Sequence, residues 1–210
     1  MLPELIQKVS LFYLLHRIDI DLAKQLQQGR CPYCNGPLHH SNYERKPRGG
    51  PENIPDEYLV RQSLCCGRPD CRRRTLPPSC LFMGRRVYWG CVILVVMTLQ
   101  QNRPDGPSAR KIKEMFGISR KTLKRWIAYF RDQFPASSQW QRLRGRLASA
   151  VSNNKLPAEL VHYFLKHFQS PQQAIIGCLK FLASGQIGSH ATWGDFAVTQ
   201  KTGVDPAVLR

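Results

Sequence analysis

Four cysteines in this chain are spaced to share one metal ion. Cys31-Pro-Tyr-Cys34 puts two thiols at a separation that lets one tight turn aim both at the same ion. Cys66-Gly-Arg-Pro-Asp-Cys71 offers a second pair, with Gly67 and Pro69 permitting a wider turn. Cys65 competes with Cys66, but neighbours on an extended segment point to opposite faces, and the turn begins at Cys66. The expected set is Cys31, Cys34, Cys66 and Cys71 around a structural Zn2+, tetrahedral and closed, so that the metal catalyses nothing. His39 and His40 are the alternative ligands. Cys80, Cys91 and Cys178 are expected to fill apolar space. The opening Met1-Leu-Pro-Glu-Leu-Ile-Gln-Lys lacks the basic start and unbroken apolar run of an export signal. Reduced thiols and metal are therefore expected rather than disulfides.

A second chemistry is written in lysine and arginine. Residues 101–146 hold twelve of them against three Asp and Glu, in a chain of net charge +17. A field of that sign draws phosphate backbones. Within the stretch, Gly117 can close a turn between two short helices. Ile112, Phe116, Ile118, Leu123 and Trp126 fall at the inward positions that lock such a pair at a steep angle. Ser119 can cap the second helix. This is a helix-turn-helix pattern, and Arg120, Lys121, Thr122, Lys124 and Arg125 face outward at the start of the helix that would enter a major groove. Arg can hold guanine through two hydrogen bonds, Thr can meet a thymine methyl, and Lys can meet guanine or phosphate. Arg72, Arg73, Arg74, Arg110, Lys111, Arg142, Arg144 and Arg146 are expected on phosphates, fixing register without reading sequence. Lys113 stands where such units often carry alanine; its long stem is expected to snorkel out of the helix contact.

The elements that must position these residues follow from pattern. Apolar spacing predicts a helix over 3–18 and a shorter one over 21–28, together an N-terminal helical hairpin at 1–29. Residues 30–80 are dense in Cys, Pro and Gly, with short strands expected over 37–45 and 58–64 and a loop at 46–51. Such a segment buries too little to fold well alone, and a structural metal would supply the missing stability. A nearly all-apolar helix is expected over 87–101, too short to span a bilayer. With the helix-turn-helix it forms a unit at 81–134, the two joined by a turn-rich linker at 102–107. The C-terminal helical region at 135–210 holds expected helices over 140–151, 157–168 and 171–184, the last capped by Ser170 and stopped by Gly185. From 186 onward the pattern fades. The expected fold class is mainly α with a small zinc-ribbon β module, a helix-turn-helix and a C-terminal helical region.

Over residues 30–132 the chain resembles the zinc-ribbon and helix-turn-helix regions of bacterial insertion-sequence proteins. The resemblance rests on Cys31-x2-Cys34, on Cys66-x4-Cys71-Arg-Arg-Arg-Thr75, on the apolar helix that follows, and on Gly117-Ile-Ser-Arg-Lys-Thr-Leu-Lys-Arg-Trp126. It implies a bacterial, cytoplasmic, nucleoid-associated protein that recognises double-stranded transposon-end DNA. In such proteins a separate nuclease domain cuts. The three-carboxylate, two-metal site of DDE transposases has no counterpart here: after Phe134 only Glu159, Asp195 and Asp205 are acidic. Tyr163 sits at ordinary apolar helical spacing and is expected to pack. The chain is therefore expected to be a recognition or accessory component rather than an enzyme. A separate transposase or recombinase subunit would supply the chemistry. The alternative is a transcriptional repressor in which residues 147–210 form a homodimer or bind a ligand.

Overall fold

The computed structural model describes residues 2–84, 86–101 and 107–186. The chain enters through a single helical turn, α1 (Leu2–Leu5), and a 19-residue helix, α2 (Val9–Gln27). Leu11, Phe12, Leu15, Leu22 and Ala23 bury one face of α2. The hairpin expected at residues 1–29 is thus corrected to one helix that runs unbroken through Ile18–Asp21. The polar residue that interrupts the apolar spacing, Asp19, does not mark a turn. It is buried, and its carboxylate accepts from the Ser79 hydroxyl and, at 2.6 Å, from the Cys80 N–H.

Five short strands follow: β1 (Leu38–His40), β2 (Tyr43–Glu44), β3 (Val60–Arg61), β4 (Leu64–Cys66) and β5 (Arg74–Thr75). They form an antiparallel sheet in the order β1-β4-β5 and a separate β2-β3 pair. The strand expected over 37–45 divides at Ser41–Asn42. There the Asn42 side chain accepts from the Ser63 N–H at 3.0 Å and donates to Gln62 at 3.1 Å, taking the place of a ladder bond. The strand expected over 58–64 begins instead inside a 3-10 turn, Asp56–Leu59. Apart from cysteine, the interior around the strands is small, Leu38 and Leu64 with Leu26 from α2 against them, while Tyr58, Ile54 and Leu59 of the same segment pack on the main core.

The helical body is organised by α3 (Gly90–Gln101), whose residues from Gly90 to Thr98 are all buried. A helix apolar on every side must be enclosed. Around it stand α4 (Ala109–Phe116), α5 (Arg120–Ala128), α7 (Ala158–His167) and α8 (Pro171–Ser184), with α6 (Ser138–Arg144) packed on α8. The interior of this body is continuous with that of α1 and α2. The Gln101 side chain fixes the entry of α7: it donates to the Leu156 carbonyl at 2.6 Å and accepts from the Ala158 N–H at 3.0 Å. The fold is mainly α with a small antiparallel β module. Among the described residues no helix is long and apolar enough to cross a membrane. The last part of the expected C-terminal region, 187–210 with Asp195 and Asp205, lies outside the described residues, as does most of the expected linker at 102–107.

Burial raises the Asp19 carboxyl to about 6, against the lowering pull of the Ser79 hydroxyl, the Cys80 N–H, Arg61 and the Leu81 N–H. In the unfolded chain the group titrates near the ordinary Asp value of about 3.9. Between those two values the folded protein holds a proton that the unfolded chain has released. Asp19 therefore takes away about 3 kcal/mol of stability as pH rises from about 4 through 6, with no further change above. We expect Asp19→Asn to gain stability relative to the parent between pH 4.5 and pH 7.5, read from urea unfolding at both. Parallel pH dependence in the two proteins would show that Asp19 does not titrate in this window.

Candidate metal centre and basic surface

Cys31 lies just beyond the end of α2, and Cys66 closes β4, so each opens a turn from the end of a regular element. The four sulfurs of Cys31, Cys34, Cys66 and Cys71 all lie within 4.8 Å of one another. Cys31 and Cys71 are 3.8 Å apart at sulfur, Cys34 and Cys66 3.4 Å. A tetrahedron with metal–sulfur bonds of about 2.3 Å has edges of about 3.8 Å. A disulfide would need about 2.0 Å. The spacing suits ligands of one shared ion.

The backbone is shaped to the same end. Each sulfur accepts the N–H of the residue two positions on: Tyr33 for Cys31, Gly36 for Cys34, Arg68 for Cys66 and Arg73 for Cys71. The residue after the second cysteine of each turn, Asn35 or Arg72, is left-handed, with φ of 58° and 47°. Asn adopts that region with little cost; Arg does so only when the surroundings impose it. The two turns therefore repeat one geometry despite unequal length. Gly36 is required by close approach, since a Cβ there would lie 2.7 Å from Arg68 Cγ and Cδ and 3.0 Å from the Cys66 sulfur. Arg68 itself donates to the Cys34 carbonyl at 3.2 Å.

Of the competing residues, Cys65 turns its thiol outward to the Arg72 carbonyl at 3.3 Å. The His39 ring lies over Gly67, where a Cβ would meet Nε2 at 2.6 Å. Neither joins the sulfur cluster, nor does His40. Burial disfavours the Cys31 thiolate, but the N–H groups of Tyr33 and Cys34 and the thiols of Cys34 and Cys71 outweigh it and bring the group down to about 7. Cys34 is raised by burial and by the neighbouring Cys66 thiol. Cys66 and Cys71 also rise: an N–H to each sulfur pulls down, but burial and adjacent thiols prevail. Four crowded thiols favour one thiolate, and a divalent cation is what would allow all four to ionise. Cys80, Cys91 and Cys178 are buried away from the cluster; burial carries Cys91 up to about 12 and the other two well above the ordinary thiol range.

The basic residues are set by a pair of capped helices. Ser108 accepts from the Lys111 N–H to open α4, Gly117 at φ 60° closes it, and Ser119 accepts from the Thr122 N–H to open α5. Ile112, Phe116, Ile118, Leu123 and Trp126 are all buried between the pair and α3. Lys113 is exposed, so it lies outside the helix contact and its stem has nothing to snorkel past. Arg120, Lys121, Lys124 and Arg125 are exposed; Thr122 is half-buried, its hydroxyl 3.0 Å from that of Ser119. Neither helix carries an acid in its first turn, where Arg110 and Lys111 or Arg120 and Lys121 stand instead. Cations there oppose the helix dipole, an arrangement that destabilises the free helix and suits an approaching anion.

The remaining arginines divide. Arg72 and Arg73 are exposed beside the cysteine turns, and Arg73 lies over the Tyr33 ring at 4.5 Å. Arg74 lies over Tyr43 and donates to the Ser41 hydroxyl at 3.3 Å. Arg110 pairs with Glu114 one turn on. Arg142 donates to the Gly185 carbonyl at 2.7 Å and Arg146 to the Ser184 hydroxyl at 3.0 Å, so both clasp the end of α8, where helix carbonyls lack partners. Arg144 is exposed.

Tyr88 carries no signal in the sequence, yet it holds the turn between α4 and α5. Its hydroxyl donates to the Gly117 carbonyl at 3.3 Å and its ring meets Trp126 edge-on at 5.0 Å. The segment bearing Tyr88 is in turn bonded to the Pro/Gly loop of the β module: the Arg48 N–H donates to Val87 at 2.8 Å, and the Trp89 N–H to Arg48 at 3.4 Å. Arg68 also went unforeseen; its position two residues after Cys66 was the available clue. No protein-family model, characterised protein or solved structure matches the chain.

Metal content of purified variants tests the cluster directly. Cys34→Ser and Cys66→Ser are expected to lose bound metal together with the fold of residues 30–80, while Cys65→Ser keeps both. Metal retained in Cys66→Ser and lost in Cys65→Ser would reverse the assignment.

Proposed function

We propose that this chain is a sequence-specific DNA-binding protein in which α4 and α5 act as a helix-turn-helix and the four cysteines hold a structural Zn2+. The observation that carries the reading is a pair of capped helices joined at the left-handed Gly117, with five inward residues buried and Arg120, Lys121, Lys124 and Arg125 at the solvent. An N-terminal helix end crowded with cations is costly without an anion to receive it. Arg120, Lys121, Thr122, Lys124 and Arg125 would meet base edges, while Arg72, Arg73, Arg74, Arg110, Lys111 and Arg144 meet phosphates. Four thiolates at tetrahedral spacing suit Zn2+, which would hold residues 30–80 in shape where their apolar interior does not. We assign the protein to the recognition step of a mobile element, with a separate transposase or recombinase cutting the DNA.

Genomic fragments captured by the zinc-loaded protein at near-physiological salt, and sequenced, test this. Enrichment at inverted ends flanking its own gene is the expected outcome; enrichment at a promoter would make it a repressor instead. Arg120→Ala and Arg125→Ala should each weaken the specific site by roughly 1–3 kcal/mol while random DNA is held almost as before. Equal losses on both DNAs would reject base reading by α5.

A further inference from the structure

Tyr33 is at the tip of the first cysteine turn, 60% exposed, and belongs to neither apolar cluster. Its position is nonetheless tightly set. Its N–H is committed to the Cys31 sulfur, and the N–H of Arg73 to the Cys71 sulfur, the two sulfurs lying 3.8 Å apart. The sulfur cluster thereby brings together two side chains distant in sequence, and the Arg73 guanidinium settles 4.5 Å from the centre of the Tyr33 ring. On the other sulfur pair the corresponding residues are Gly36 and Arg68, where the arginine stem covers bare backbone. An aromatic ring therefore stands at only one of the two equivalent places, backed by a cation and otherwise open to water.

An exposed ring next to guanidinium groups is a stacking platform for an unpaired base, since every base has a π-face and its phosphate needs a cation. Duplex DNA keeps its bases stacked on each other and offers this ring little; a frayed or single strand offers it a base. We propose that the tip of the cysteine module binds unpaired DNA, with a base stacked on the open face of Tyr33 and flanking phosphates on Arg72 and Arg73. This rests on the reading of the chain as a DNA-binding protein and on nothing about α5.

Fluorescence anisotropy with the metal-loaded protein tests it, using a short oligo-dT, an oligo-U of the same length and a mixed-sequence duplex. Tyr33→Leu should weaken oligo-dT about tenfold, with Tyr33→Phe restoring it, while duplex binding changes less than twofold. Metal content of each variant confirms that the module is intact. Equal loss on duplex and single strand, or no loss in a metal-replete Tyr33→Leu, would overturn the stacking role. Tighter binding of oligo-U than oligo-dT would overturn the choice of DNA. The duplex arm, read against Arg120→Ala, reports on the helix pair separately, so failure of one reading is not failure of the other.

Discussion

A helix with no polar side cannot rest against a single neighbour, and α3 imposes that constraint on everything around it. Gly90 to Thr98 are buried all round, so four other helices must converge on it. Two of them are α4 and α5. Their apolar faces are consumed on α3, which leaves the charged faces outward with no freedom to turn in. The position of the basic surface is in this sense a by-product of packing. It follows from which residues the core removes, and the caps at Ser108, Gly117 and Ser119 only set where each helix begins and ends.

The four-cysteine module works on a different principle. Two leucines and a cluster of thiols make up the interior around the sulfurs, a small apolar area, and the rest of the module's burial is lent by the main core at Tyr58, Ile54 and Leu59. Order comes largely from directional bonds: strand ladders, N–H groups aimed at sulfur, and a left-handed Arg72 held against its preference. These features all point inward to one centre. The module touches the helical body by directional bonds, at Arg48 with the Tyr88 segment and at the Asp19 carboxylate, and by an apolar contact in which Tyr58, Ile54 and Leu59 join the main core.

Much of this was legible in the sequence because it is local. The turn at Gly117, the caps, the inward residues of α4 and α5 and the choice of Cys66 over Cys65 all follow from spacing within a few residues. Apolar spacing divides the single long helix α2 into spans over 3–18 and 21–28, because the partners that bury Asp19, Ser79 and Cys80, are about sixty positions away. Tyr88 was missed for the same reason: nothing near it in sequence announces Gly117. Arg142 and Arg146 read as surface charge, and only the folded chain brings the end of α8 beneath them. The contacts that were not legible are the polar ones that close long loops, for which sequence carries no periodic signature.

The Asp19 bonds bear on how an ion would reach the four sulfurs. They join two points 60 residues apart, and the whole cysteine module hangs between them as a loop whose feet are buried in the helical body. Between those feet the loop is tied to the body again at Arg45, Arg48 and Tyr58. Much of the entropy of bringing the two ends together would then be spent before an ion arrived, leaving the shorter closures of Cys31 on Cys71 and Cys34 on Cys66. Were an ion to bind the four sulfurs, its uptake would be a local ordering on a standing scaffold.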